Sequence, residues 1–119
     1  MTTAAQNGAL VVVVSDNPET LDGLARYLNG AGIAVRGTRV LAKASELATR
    51  AKSAVVVFPD DFPKTKVDAT LATLKRRSVL TVLVTRDLRH FTERDAVVLP
   101  KPAWGHAILD AIRDRLSEE

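Results

Sequence analysis

Leu10-Val11-Val12-Val13-Val14, followed directly by Ser15-Asp16-Asn17-Pro18, decides how this chain folds. Consecutive valines without polar alternation mark a strand covered on both faces, the pattern of a parallel sheet rather than of an antiparallel one with a wet side. The polar tetrapeptide then supplies a capping side chain and a proline suited to a helix's first turn. Leu21, Leu24, Ala25 and Leu28 recur at helical spacing until Gly30 and Gly32 stop the pattern.

The alternation repeats downstream. Ile33-Ala-Val35 reads as a second strand, and Leu41 to Ala51 as a second helix with Leu41, Ala44, Leu47 and Ala48 on one stripe. Ala54-Val-Val-Val-Phe58 is another wholly apolar strand, ending in the proline-bracketed loop Pro59-Asp-Asp-Phe-Pro63. Val67, Thr70, Leu71 and Leu74 mark a third helix, Val79 to Val84 a fourth strand with Thr85 at its end, and Ala96 to Leu99 a fifth. Seven of the ten residues from 86 to 95 are charged or histidine, so any helix there is short. The last helix carries Trp104, Ala107, Ile108, Ala111, Ile112 and Leu116 on one face and Asp110, Arg113 and Asp114 on the other. Strands alternating with helices predict an α/β fold, a parallel sheet with right-handed crossovers and helices on both faces.

With 119 residues, 46% hydrophobic and 26% charged, the chain is expected to form a single domain over 9–117 behind a flexible tail, 1–8. Its apolar runs fall short of the about 20 residues a membrane-spanning helix needs, and no basic residue precedes the first of them as in a secretory signal. A cytoplasmic protein without membrane insertion is expected. The absence of cysteine excludes disulfides, thiolate metal sites and cysteine nucleophiles. A net charge of +3 is weak support for nucleic-acid binding, because the dense basic cluster, Lys75-Arg76-Arg77, stands where cations complement a helix C-terminus. No nucleic-acid partner is expected.

In doubly wound sheets, chemistry gathers outside the carboxyl ends of the strands. Ser15 and Asp16 stand there after strand one, Pro59, Asp60 and Asp61 after strand three, Thr85 after strand four and Lys101 after strand five. Over Leu10 to Leu116 this order of elements and residues resembles the receiver domain of two-component response regulators. The resemblance implies a flavodoxin-like, five-stranded sheet of order 2-1-3-4-5, here with a shortened fourth helix. It also implies that Asp16, Thr85 and the Lys101-Pro102 pair occupy the family's phosphorylation pocket, where acidic residues hold Mg²⁺ and an aspartate four residues before a proline accepts the phosphoryl group. Counting back four from Pro63 places Pro59 at the acceptor position, and proline cannot be phosphorylated. Ser15 replaces one metal-binding acid, and Val98 replaces the family's switch aromatic.

The expectation is therefore a pseudo-receiver with a vestigial pocket of Asp16, Pro59, Asp60, Thr85 and Lys101. It has no catalytic residue, is not an enzyme, needs no cofactor, and keeps only Asp16 as a weak metal candidate. The alternative is a shifted acceptor, Asp60 or Asp61, working with Mg²⁺. Strand alternation argues against it by turning Asp60 to the side opposite Pro59 and carrying Asp61 roughly 7 Å further along an extended chain. Simpler roles stand beside these: Lys101 as an ion-pair partner of Asp16, Asp60 or Asp61, Asp16 as an N-cap, Thr85 as a strand-end residue, Trp104 as core. The family further implies docking on another signalling protein or output domain, with homodimerisation as an option. Phe91, Val98, Trp104 and Ile108 are the candidate partner face. A small-ligand binder of the same topology is a third reading, weakened by the lack of a glycine-rich loop after strand one.

Overall fold

The computed structural model describes residues 9–48, 52–91, 96–101 and 105–116. The tail expected over 1–8, the limit at 117, and Pro102 and Trp104 lie outside the described residues. Strands β1 (Ala9–Val14), β2 (Val35–Thr38), β3 (Lys52–Val57), β4 (Leu80–Thr85) and β5 (Val97–Pro100) form one parallel sheet of order β2-β1-β3-β4-β5. This is the order expected from the sequence. The central strands are in register from Ala9 against Lys52 to Val14 against Val57, and from Ala54 against Leu80 to Val57 against Leu83.

Strand alternation divides the valine runs between two cores. Val11, Val13, Val56, Val82 and Val84 face helices α1 (Pro18–Gly30) and α5 (Gly105–Leu116), meeting Leu24, Leu28, Ile108, Leu109 and Ile112. Val12, Val14, Val55, Val57 and Leu83 face α2 (Ala44–Leu47), α3 (Lys64–Arg76) and α4 (Leu88–Phe91), meeting Ala44, Val67, Leu74 and Phe91. Both sheet faces are dry, which is why the runs show no polar alternation. Lys75 and Arg76 end α3 as cations suited to its C-terminus, and Arg77 donates to the Ser45 carbonyl at 2.7 Å.

Two elements differ most from expectation, and a third agrees with it. The second strand is Val35–Thr38, not Ile33 to Val35, because Ile33 still belongs to the end of α1: its N–H reaches the Leu28 carbonyl while the Gly32 N–H reaches that of Asn29. That pair of bonds is a Schellman closure, with Gly32 at φ +86° and buried Ile33 against buried Leu28. The second helix is a 3-10 turn, Leu41–Lys43, running into the single turn of α2. Its expected continuation to Ala51 meets Ala48, which closes α2, and β3 already begins at Lys52 to pair with Ala9; residues 49–51 lie outside the described residues. The fourth helix is one turn, as the charge-rich spacing implied, with 92–95 outside the described residues.

Candidate functional site

The site is built on the turn that follows β3. Phe58 extends the pairing with β1 through its N–H to the Val14 carbonyl at 3.0 Å, and Pro59 then starts a 3-10 turn, Pro59–Asp61. Proline suits a first-turn position because its missing N–H is not needed there. The turn breaks strand alternation, so Asp60 and Asp61 do not follow an extended path. They diverge toward the two strands flanking β3.

Each carboxylate accepts from a hydroxyl and from the following amide at the end of a different strand, Asp61 on one oxygen and Asp60 on both. Asp61 Oδ2 accepts from Ser15 Oγ at 2.7 Å and from the Asp16 N–H at 3.0 Å, at the end of β1. Asp60 accepts from Thr85 Oγ1 at 2.6 Å and from the Arg86 N–H at 2.9 Å, at the end of β4. Both hydroxyls also accept from the amide two residues on, Asn17 to Ser15 at 3.1 Å and Asp87 to Thr85 at 2.9 Å. Ser15 and Thr85 are fully buried, and these contacts satisfy them. A short hydroxyl–carboxylate bond with an amide beside it is a charge-assisted arrangement, stronger than a neutral pair.

The remaining pocket residues point elsewhere. Asp16 is exposed and pairs with Arg39 at 3.2 Å; the N-cap of α1 is Asn17, whose Oδ1 accepts from Glu19 and Thr20. Asparagine caps as well as aspartate, and the Asp16 N–H is already held by Asp61, which leaves the capping geometry to its neighbour. Lys101 does not pair with Asp16, Asp60 or Asp61. Its ammonium lies 6.0 Å from the centre of the Phe58 ring, and it has no carboxylate partner among the described residues. Pro59 is buried.

These positions do not fit Mg²⁺. The ion takes oxygen ligands converging in near-octahedral geometry, whereas Asp60 and Asp61 diverge and Asp16 turns outward. Among the described residues no three histidine or acidic side chains gather as a metal site.

Of the expected partner face, Phe91 and Ile108 are core residues at 1% and 2% exposure, one in each hydrophobic cluster. Neither ring nor side chain is offered to a partner. The single turn of α4 holds onto the sheet through Phe91, and Ile108 falls on the apolar stripe of α5. Val98 is partly buried against the α2/α3 side, and Trp104 lies outside the described residues. Beside them α4 is fastened by polar contacts: His90 Nε2 sits 3.1 Å from both oxygens of Asp68, and Lys64 meets Asp87 at 2.6 Å. That hydrogen bond raises the Lys64 ammonium's pKa and holds the Asp87 carboxyl below the usual carboxylate range.

With this geometry in place, comparison with solved structures is specific about the fold. A response regulator receiver protein from Sinorhizobium medicae superposes with a TM-score of 0.70 at 20% identity, covering 94% of this chain and 98% of that one. The chain has the receiver fold. A sensor protein from Polaromonas sp. JS666 matches with a TM-score of 0.75 at 20% identity, over 92% of this chain and 97% of that one. The signal receiver domain of an HD domain-containing protein from Pseudomonas fluorescens matches at 0.73 and 19%, over 93% and 98%. No protein-family model and no curated protein matches the sequence. On a receiver fold, the paired clasps occupy the strand ends where the resemblance puts a phosphorylation pocket. Sequence reasoning placed Ser15, Thr85 and both aspartates there but missed their pairing; it named Asp16 rather than Asn17 as the cap, and it missed Arg39 altogether.

Proposed function

We propose that this chain is an atypical receiver, a pseudo-receiver that acts in signal transduction as a phosphorylation-independent protein–protein interaction module rather than as an enzyme. The observation that carries the reading is the buried Pro59 at the acceptor position, followed by two carboxylates already engaged by Ser15 and Thr85. An acceptor aspartate needs a free oxygen for in-line attack, with metal and lysine neutralising the phosphoryl charge. Here Lys101 lies beside Phe58 and pairs with neither aspartate, Asp60 spends Oδ1 on Thr85 and Oδ2 on the Arg86 N–H, and Asp61 gives Oδ2 to both Ser15 and the Asp16 N–H. The similar proteins named as receivers support a place in two-component signalling; a cytoplasmic location, and another signalling protein, an output domain or a second copy as partner, belong to the proposal. The docking face is the one built from α4, β5 and α5, where Leu88 is exposed at 41% and Val98 and Trp104 are the further candidates.

Intact-mass spectrometry after incubation with acetyl phosphate, with and without Mg²⁺, tests the reading. Unchanged mass under conditions that label a working receiver is the expected result. A Mg²⁺-dependent phosphoryl adduct that disappears in Asp60→Asn or Asp61→Asn overturns it and names the shifted acceptor.

A further inference from the structure

We infer that the groove between α1 and α5 is a binding site for a small apolar monocarboxylate. The inference stands independently of the proposed function. The groove encloses about 420 Å³, and its walls are mainly Leu24, Tyr27, Phe58, Val84 and Ile108. Small-molecule sites commonly span about 300 to 1,000 Å³ and combine apolar walls with a few polar groups.

Beside Tyr27, whose hydroxyl is also polar, Lys101 and Thr20 bring polar groups to this groove. Both are donors without an acceptor: Lys101 has no carboxylate among the described residues, and the Thr20 hydroxyl makes no hydrogen bond there, its backbone N–H alone being used by Asn17. An ammonium and a hydroxyl above an apolar floor match a carboxylate on an apolar body. A phosphate or dicarboxylate would set surplus charge against Leu24 and Ile108, which is unfavourable without partners.

The walls are shaped by two glycines. A Cβ at Gly105 would lie 2.9 Å from the Tyr27 ring, so that ring packs directly on the backbone of α5 and fixes one rim. Gly23 sits inside α1, where glycine costs about 1 kcal/mol relative to alanine. A Cβ there would meet nothing within 4 Å, so the missing side chain leaves open space beside the groove.

Titration with indole-3-acetate and with octanoate, followed by calorimetry and by amide shifts in ¹⁵N-labelled protein, tests the site. Saturable binding of at least one acid is expected, shifting the Gly23, Tyr27 and Gly105 amides. Lys101→Met should weaken that acid about tenfold, the scale of a lost charged hydrogen bond, while leaving 3-methylindole, which has no carboxylate, unaffected. Gly23→Leu should abolish binding of the acid while raising helix propensity, so loss of folding does not confuse the result. Absence of saturable shifts at these amides with both acids at millimolar concentration overturns the inference. So does binding that Lys101→Met leaves unchanged.

Discussion

The carboxyl edge of the sheet has two sides that treat charge in opposite ways. Around β1, β3 and β4 the two aspartates are engaged internally: Asp61 by Ser15 and the Asp16 amide, Asp60 by Thr85 and the Arg86 amide. Around α1, α5 and the end of β5 a charge is left over, because Lys101 rests near the Phe58 ring with no carboxylate partner among the described residues. In a receiver fold these neighbouring regions would be expected to serve one pocket. Here the acids and the lysine are separated, and the lesson is that residue inventory at a strand edge does not define a site until the direction of each side chain is known.

Substitutions can break or sharpen that contrast. The largest effect is expected from Pro59→Asp, which puts a third carboxylate into a buried position beside Asp60 and Asp61 and removes the turn-starting proline. A loss of about 3 kcal/mol in urea denaturation is expected, in line with an uncompensated buried charge. A variant as stable as the parent would mean that Lys101 can swing back to pair with it, and that the two sides are one pocket after all. Asp61→Ala should cost less, about 1 to 2 kcal/mol, because the buried Ser15 hydroxyl and the Asp16 amide lose their acceptor together. The smallest effect belongs to the other side. Lys101→Met should change stability by no more than about 0.5 kcal/mol, as for a surface side chain with no ion pair to lose. A cost equal to that of Asp61→Ala would erase the distinction between the engaged and the unengaged side.

What the sequence made legible follows from what is periodic. The valine runs at β1 and β3 announce a sheet buried on both faces, while its strand order was legible only through the resemblance to receiver domains. Position along the chain also places Ser15, Asp60, Asp61, Thr85 and Lys101 at one edge. Direction was not legible, because the 3-10 turn begun by Pro59 replaces the alternation from which the aspartates were judged. Ile33 misled for a related reason: its apolar side chain looks like a strand residue but closes α1. Phe91 and Ile108 show the limit of reading a face from apolar residues alone, since both are spent on the core. The groove had no sequence signature beyond one glycine inside a helical stretch, because its walls come from four separate elements.

One backbone contact bears on how the unengaged side would receive a guest. The Lys101 N–H is held by the Thr85 carbonyl at 3.1 Å, so the residue is anchored in the sheet edge although its ammonium has no carboxylate partner among the described residues. The backbone that carries Lys101 is therefore fixed before an occupant arrives, and ordering this residue on capture costs the rotamers of its side chain, about 1.5 to 2 kcal/mol, without a further 1 to 2 kcal/mol for its backbone.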